Sequence, residues 1–253
     1  SETLSTGLVG HRFEPITTSW NAKDVMLYAL GVGAKPAAEL DFLYEGTKND
    51  GPLVLPTYAV IPAMRAMGNL RHVVKLKIQR LLHGEQGIEL LRPLPAKTEI
   101  TLESEVSEVW DKGKSGVIGV SALGSDADGP LFKSHSTLFY IGGGGPGPST
   151  KDKNRPPDRQ PDLVVDYATQ PEQGALYRLS GDQVALHIDP EFARKAGYEK
   201  PFMHGLCTYG FVGRAILHGL CGGDPARFKS MTGRFADTVQ FEDHIITKFW
   251  HDG

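Results

Sequence analysis

The sequence predicts an α+β fold in which each of two halves wraps an antiparallel sheet around one long helix. Three observations support this prediction. A polar stretch rich in glycine and proline begins at residues 142–148, ends near Pro161 and offers almost nothing to bury. Each half starts with a helical pattern and closes with strand-like segments. Residues 100–110 alternate apolar and polar side chains, which is typical of a half-buried antiparallel strand.

The repeated order of elements indicates an ancient duplication rather than alternating strand–helix–strand units. We predict a first domain over residues 1–145, a linker over 146–162 and a second domain over 163–253. The first domain is predicted to hold helices at 22–30 and after Pro56, and strands at 74–78, 88–91, 100–110, 116–123 and 132–141. In the second domain we predict a strand at 175–179 that leads into a turn, helices at 191–196 and 206–220, and strands at 232–239 and 245–250.

Composition narrows the class of protein. The chain has 253 residues, of which 40% are hydrophobic and 23% charged, so it can bury a substantial core. A net charge of -3 gives no support for a nucleic-acid partner. No run approaches the length of a membrane span, and we expect a soluble, intracellular protein. Cys207 and Cys221 do not form a CxxC pair, so we expect two small buried hydrophobes rather than a disulfide or zinc framework.

The densest group of chemically active residues lies between residues 177 and 190 and continues at His204-Gly205. Asp182 and His187 are five residues apart on a predicted turn, and such a loop can point both side chains into one cleft. A carboxylate beside an imidazole can move two protons near neutral pH. Gly205 precedes the long apolar helix, where a backbone N–H and the helix dipole can stabilise a developing negative oxygen.

Each of these residues also has a purely structural interpretation. Asp182 could cap a turn while His187 holds a backbone group, and Gly205 could simply permit close packing at the helix start. Asp189-Pro190 is typical of a helix N-cap followed by proline in the first turn. His83-Gly84-Glu85, taken alone, fits a hairpin turn at least as well as a binding site.

Ordered blocks across nearly the whole chain resemble the 2-enoyl-CoA hydratase 2 family, the (R)-specific, MaoC-like enoyl-CoA hydratases. Members of this family occur alone and within the peroxisomal multifunctional enzyme of fatty-acid β-oxidation. The blocks that carry the resemblance are Leu27-Tyr28-Ala29-Leu30-Gly31, Tyr44-Glu45-Gly46, Leu55-Pro56-Thr57, Leu82-His83-Gly84-Glu85-Gln86, Asp111-Lys112-Gly113, Asn154-Arg155-Pro156-Pro157-Asp158, the Ser180 to Pro190 cluster and His204-Gly205-Leu206-Cys207-Thr208.

The resemblance implies a double hot-dog fold, with the acyl chain accommodated by the first domain and the hydratase motif in the second. It implies hydration of trans-2-enoyl-CoA to (3R)-hydroxyacyl-CoA, with coenzyme A as part of the substrate and no further cofactor or metal. A peroxisomal location and a homodimer are also expected. The site residues that it implies are Asp182 and His187 as the acid/base pair, Gly205 as oxyanion donor, His83, Gly84, Lys112, Gln183, Val184 and Phe235 as substrate contacts, and Glu45 as a supporting residue.

Two departures from the family pattern are visible. The family's loop reads Gly-Asp-any-Asn-Pro-Leu-His, but Val184 stands where the Asn helps to hold the reacting water. Valine cannot form a side-chain hydrogen bond, and Gln183 beside it points elsewhere unless the loop is re-aimed. We therefore predict a slow or altered hydratase. The chain also ends earlier than family members do, and we expect the second domain to be truncated.

Three other functions remain open from the sequence. Val184 and the short C-terminus favour an acyl-CoA-binding hot-dog protein with weak or no catalysis. A second alternative acts on acyl-carrier-protein thioesters instead of coenzyme A thioesters. The third is a mononuclear iron oxygenase, because His187, Asp189 and His244 imitate a two-histidine, one-carboxylate triad.

Overall fold

The structure, a computed structural model, describes residues 6–47, 50–75, 77, 80–111, 115–141 and 155–252. Its helices are α1 (Ala22–Gly31), α2 (Pro36–Leu43), α3 (Val60–Gly68), α4 (Gln173–Tyr177), α5 (Pro190–Lys195) and α6 (Gly205–Leu220). Its strands are β1 (Ile16–Trp20), β2 (Leu81–Leu90), β3 (Thr98–Asp111), β4 (Ser115–Asp126), β5 (Gly129–Ile141), β6 (Leu163–Ala168), β7 (Ser230–Arg234) and β8 (His244–Phe249). None of these helices combines the length and hydrophobicity that crossing a bilayer requires.

The chain folds into two compact units, and both are built from separate segments. Unit 1 contains residues 1–22, 56–150 and 229–237, and unit 2 contains residues 23–55, 151–228 and 238–253. The predicted boundaries at 145 and 163 assume continuous domains and stay predictions. The compact units differ from continuous domains because α1 and α2 pack with the second half of the chain, while β7 pairs with the sheet of the first half.

Unit 1 is a six-stranded antiparallel sheet in the order β1-β3-β4-β5-β2-β7. Helix α3 packs against it, mainly on β4, as the predicted sheet around a helix requires. Pro62 lies in the first turn of α3, where a backbone N–H would have no partner within the helix. The predicted alternation in β3 holds from Ile100 to Val106, and a bulge between Val106 and Glu108 then shifts the later side chains to the opposite face.

Unit 2 pairs β6 with β8 in an antiparallel sheet that packs against the long helix α6. Most of α6 is buried, and glycines on this helix allow close packing. A Cβ at Gly210 would meet Val32 at 2.4 Å, and one at Gly219 would meet Leu163 at 2.7 Å. Cys207 and Cys221 are both buried, as predicted.

Three predictions of secondary structure are wrong. The strand predicted at 232–239 in the second domain ends at Arg234 and pairs with β2 of unit 1, and the Val239 carbonyl instead accepts from the Met203 N–H at 2.9 Å. Residues 175–179 are helical rather than a strand, since α4 continues into a 3₁₀ turn over Arg178–Ser180. The physical reason is burial at helical spacing, with Gln173, Gly174 and Tyr177 facing inward, and Gln173 Nε2 donating to the carbonyl of Gly31 at 2.6 Å. In the segment 74–78, Val74, Lys75 and Lys77 are not in a strand, and the other two positions lie outside the described residues.

A buried charge network joins α2 to α6 within unit 2. The carboxylate of Glu39 accepts from Arg214 Nε at 2.8 Å, from Arg214 Nη2 at 2.6 Å and from the Lys35 backbone at 2.9 Å. His218 Nε2 lies 2.9 Å from the same carboxylate, and the Arg214 guanidinium stacks 4.1 Å from the centre of the Tyr167 ring. Burial alone raises the pKa of Glu39, but the hydrogen bonds from His218 and Arg214 outweigh it and lower the pKa to about 2.

Ionisation of Glu39 is expected to make the protein acid-labile. The pKa of Glu39 in the folded protein, about 2, lies below its ordinary value of 4.5. Its ionisation therefore stabilises the fold fully above pH 4.5, and this stabilisation is lost as the pH falls toward 2. Its size is on the order of 3 kcal/mol. Urea unfolding across this pH range should therefore show a steeper loss of stability in the parent than in Glu39→Gln. Equal slopes for the two proteins would contradict this assignment.

Candidate active site

The loop that carries Asp182 and His187 is shaped by two short 3₁₀ turns. The first, Arg178–Ser180, ends at Gly181, whose φ of 141° favours glycine. The second, Ala185–His187, leads into Asp189, whose side chain caps α5 by accepting from the Glu191 backbone at 2.9 Å and from the Phe192 backbone at 3.4 Å. The predicted capping role of Asp189 is confirmed, and it leaves Asp182 and His187 as the acid/base candidates of this loop.

The orientation of His187 is set by two aromatic neighbours and one hydrogen bond. Nδ1 lies 2.8 Å from the carbonyl oxygen of Phe202, and since a carbonyl can only accept, Nδ1 carries the proton. In the neutral ring, the lone pair is then on Nε2. The ring stands edge-on to Phe202, with centroids 5.2 Å apart, and stacks on His204 at 4.0 Å. His187 therefore has the tautomer and the fixed ring plane that a general base needs.

Asp182 and His187 interact electrostatically. Burial raises the pKa of Asp182, and the neighbouring positive charge of His187 opposes that rise. Burial likewise lowers the pKa of His187, against the hydrogen bond to Phe202 and the charge of Asp182. Asp182 Oδ1 also accepts a long hydrogen bond of 3.4 Å from the Val184 backbone N–H. Burial therefore disfavours the charged form of each group and their mutual attraction favours it, and a carboxyl and an imidazole that interact in this way can donate and accept protons.

Gly205 is the first residue of α6, a helix of 16 residues, as the sequence predicted. N–H groups in the first turn of a helix have no intrahelical acceptor, and the helix dipole places positive potential there. Gly205 follows His204 directly, and His204 stacks on His187. The chain therefore provides a backbone donor next to the acid/base pair, although its role as oxyanion donor stays a prediction.

Sequence reasoning missed two contributors to this loop. The first is the Phe202 carbonyl, which orients His187 and has no side-chain signature. The second is His204, whose Nε2 lies 3.0 Å from the Asp182 carbonyl oxygen. His204 stood beside Gly205 in the densest part of the sequence, but spacing did not suggest a function for it.

Three predicted substrate-contact residues come together within unit 1. His83 and Phe235 stack edge to face with centroids 5.3 Å apart, and the Phe235 N–H donates to the Gly84 carbonyl at 2.9 Å. Burial lowers the pKa of His83 to about 4, so its ring is neutral. Gly84 lies at a bulge in β2, where a Cβ would collide with Phe139 at 2.6 Å. The alternative interpretation of His83-Gly84-Glu85 as a hairpin turn is therefore wrong.

The geometry gives no support for a substrate contact or a supporting role at the remaining predicted residues. Gln183 and Val184 are exposed, and the Val184 side chain is 41% exposed. Glu45 lies in an exposed turn after α2, within unit 2. Lys112 lies outside the described residues. The structure therefore does not assign a role to these four.

The iron-oxygenase alternative is wrong in its donor set. Asp189 is occupied as the cap of α5, and His244 Nδ1 lies 2.6 Å from Asp166 Oδ1 across the β6–β8 pair. Within the described ranges, no group of three or more histidine, cysteine, aspartate or glutamate side chains could hold a metal ion.

A second acid–base cluster lies on the sheet of unit 1. His135 Nδ1 is 3.0 Å from Ser121 Oγ, and His135 Nε2 is 3.1 Å from Glu108 Oε1. Ser121 and His135 line a cavity of about 800 Å³ that none of the described candidate residues lines. Both edges of β4 are paired at Ser121, so the adjacent backbone offers no oxyanion donor. We interpret this cluster as a cross-strand network, for which Gly119 leaves room beside Glu108.

Comparison with known proteins covers both halves of the chain. Residues 19–142 match the MFE-2 hydratase 2 N-terminal domain, and residues 152–253 match the MaoC-like domain. The chain is 39% identical to the peroxisomal multifunctional enzyme type 2 of Mus musculus, covering 98% of this chain but only 35% of that enzyme. It is 37% identical to the peroxisomal enoyl-CoA hydratase 2 of Arabidopsis thaliana, covering 100% of this chain and 89% of the relative.

Solved structures agree with this result. A MaoC-like dehydratase of Phytophthora capsici matches with a TM-score of 0.86 at 33% identity, covering 98% of this chain and 88% of that one. A Mycobacterium tuberculosis protein described as a double hot-dog matches with a TM-score of 0.59 at 16% identity, covering 93% of this chain and 82% of that one, which supports the fold alone. The predicted double hot-dog architecture is confirmed, and the chain belongs to the MFE-2 hydratase 2 family with a MaoC-like second domain.

Proposed function

We propose that this protein is a hydro-lyase that reversibly adds water across trans-2-enoyl-CoA thioesters to form (3R)-hydroxyacyl-CoA in fatty-acid β-oxidation. The observation that carries the proposal is that Asp182 and His187 lie on one loop and interact electrostatically. His187 Nδ1 donates to the Phe202 carbonyl, so the lone pair on Nε2 is available to accept a proton. Relatives named enoyl-CoA hydratase 2 support the reaction class.

The chemistry follows from the thioester. Its carbonyl makes C3 electrophilic, and attack by water moves negative charge onto the carbonyl oxygen. In our proposal the N–H of Gly205 stabilises that charge, His187 accepts a proton from the attacking water, and Asp182 delivers a proton to C2. The net result is a hydroxyl on C3 and a hydrogen on C2. No electron acceptor or donor is needed, and coenzyme A enters only as part of the substrate.

Binding of the acyl-CoA is assigned to the residues that the family resemblance indicated. His83, Gly84 and Phe235 form one contact group in unit 1, and we propose that they bind the substrate together with Lys112. A neutral His83 can hydrogen-bond a thioester or amide without the desolvation cost of a charge. Glu45 is proposed to support the site, since it shares unit 2 with the acid/base pair.

To test the proposal, purified protein is incubated with a medium-chain trans-2-enoyl-CoA, and the loss of the conjugated-thioester absorbance is followed. We expect turnover that yields the (3R) alcohol, identified by chiral analysis of the product. Binding of the enoyl-CoA without any turnover would instead support the acyl-CoA-binding alternative. Faster reaction of the matching acyl-carrier-protein thioester would favour the alternative carrier.

Substitution Val184→Asn is expected to raise kcat by about 10-fold or more, because a preorganised polar group at a reacting centre is worth on the order of 10²–10³ in rate. Val184 is exposed, so the new amide can hydrogen-bond a water molecule at the site without disturbing packing. Val184→Ala is the matched control, since it changes the same side chain without adding an amide. Equal rates for the two variants would show that this position does not hold the water.

We also propose a peroxisomal location and a homodimer. The location is supported by relatives named peroxisomal, while the Mycobacterium tuberculosis relatives show that the family extends beyond organisms with peroxisomes. Subcellular fractionation of the full-length protein and light scattering of the purified protein test the two proposals separately. A cytosolic fraction would contradict the first, and a monomeric mass would contradict the second.

A further inference from the structure

We propose that His204 is a positioning residue that holds both members of the Asp182–His187 pair, an inference that rests on the hydratase function proposed above. His204 contacts the pair in two ways. Its Nε2 lies 3.0 Å from the backbone carbonyl of Asp182, and its ring stacks on His187 with centroids 4.0 Å apart at 28° between the planes. One side chain therefore contacts the acid at its backbone and the base at its ring.

The protonation state of His204 follows from these contacts. The Asp182 carbonyl can only accept, so Nε2 carries the proton, and Nδ1 is the unprotonated nitrogen of a neutral ring. His204 is 1% exposed, and burial together with the charge of His187 lowers its pKa to about 3. It is therefore neutral near neutral pH. A neutral ring can stack on His187 without competing with it for a proton.

The surroundings of His204 fix its own position. Its ring packs against Tyr177 with centroids 4.8 Å apart, on the helix that leads into the loop. His204 is also the N-cap residue of α6, so its backbone is set by the start of that helix. Its Nδ1 is buried and has no hydrogen-bond partner among the described residues. The side chain thus connects the loop of Asp182 and His187 to α4 and to the start of α6.

A residue of this kind should affect the chemical step more than substrate binding. Displacement of a catalytic group by about 1 Å can cost on the order of 10²-fold in rate. Loss of the His204 contact should therefore lower kcat and leave KM nearly unchanged. General loss of folded protein, in contrast, would lower the amount of active enzyme without changing the His187 tautomer in the molecules that remain folded.

Four proteins test the proposal: the parent, His204→Phe, His204→Gln and His204→Asn. Phe keeps an aromatic ring on His187 but removes the donor to Asp182. Gln places an amide N–H near the position of Nε2, whereas Asn carries the same amide one methylene shorter and does not reach. We expect kcat to fall about 10–100-fold in His204→Phe and His204→Asn, and to recover at least in part in His204→Gln, with KM within about twofold throughout.

Nitrogen-15 NMR of the imidazole rings provides a readout that does not depend on turnover. His187 should show the Nδ1–H tautomer set by the Phe202 carbonyl in the parent and in His204→Gln. In His204→Phe and His204→Asn the displaced loop should weaken the bond from Nδ1 to Phe202, and a mixture of tautomers should appear. Thermal unfolding of each variant measures stability separately. A parent with no turnover but with this NMR pattern would overturn the proposed function and keep the positioning role. An active parent whose kcat and His187 tautomer are unchanged in His204→Phe would overturn the positioning role.

Discussion

Replacing Asp182 with asparagine is expected to lower kcat for enoyl-CoA hydration by about 10²–10⁴-fold, the usual contribution of a positioned acid/base group. The substitution is nearly isosteric and keeps an oxygen that can accept from the Val184 N–H. It also leaves untouched the Asp182 backbone carbonyl that His204 contacts. What it removes is the titratable carboxyl, which donates a proton in its neutral form and raises the pKa of His187 in its ionised form. The effect should therefore fall on kcat, with KM changing little.

The matched control is Asp189→Asn on the same loop. Asp189 caps α5, and asparagine caps helices about as well as aspartate does. This variant should keep kcat within about twofold of the parent, measured in the same absorbance assay. Equal losses in Asp182→Asn and Asp189→Asn would mean that the loop is sensitive to any change of charge, and Asp182 would lose its assignment as the acid.

Long periodic elements were predictable from the sequence because their signals are local. The helix at 22–30 and the long helix after Gly205 were located to within one residue, and the strand at 100–110 lies inside β3. The segment 175–179 was not predictable in the same way. Its helix is stabilised by contacts of Gln173 and Tyr177 with α1, which lies far away in the chain. The bulge in β3 also depends on register with β4 rather than on local pattern.

In the candidate site, too, the residues with a local sequence signal were predicted and those that depend on distant contacts were not. Asp182, His187 and Gly205 were identified because titratable side chains and a helix start leave a signature in a short stretch. The carbonyl of Phe202 leaves none, since a backbone group carries no sequence information. His204 was visible but had no assigned role until its contacts with Asp182 and His187 were known.

The buried pair Glu39–Arg214 was missed altogether, although one signal was present. Arg214 lies in the middle of the predicted apolar helix 206–220, where a charge is costly to bury unless it is paired. The sequence indicated that a partner was needed but not which carboxylate would supply it. Glu39 is 175 residues away, and it reaches Arg214 only because α2 packs with the second half of the chain.

Substitution Arg214→Met is expected to lower the free energy of unfolding by about 3–5 kcal/mol, because it leaves the Glu39 carboxylate buried without its main partner. Both side chains are 3% exposed, so water cannot replace the lost hydrogen bonds. The loss also frees the Val32 carbonyl, which accepts from Arg214 Nη1 at 3.0 Å. Chemical denaturation followed by circular dichroism measures the change.

Two further variants separate the cost of the orphaned charge from the cost of lost packing. The double variant Glu39→Gln/Arg214→Met removes both charges, and it should be more stable than Arg214→Met alone, since replacing a buried pair is often close to neutral. Lys195→Met breaks the 2.7 Å pair with Glu191, whose side chains are 74% and 67% exposed, and should change stability by less than about 1 kcal/mol. If the double variant were no more stable than Arg214→Met, the lost contacts of the arginine guanidinium with the Tyr167 and Phe211 rings would account for the loss, and the charge of Glu39 would not.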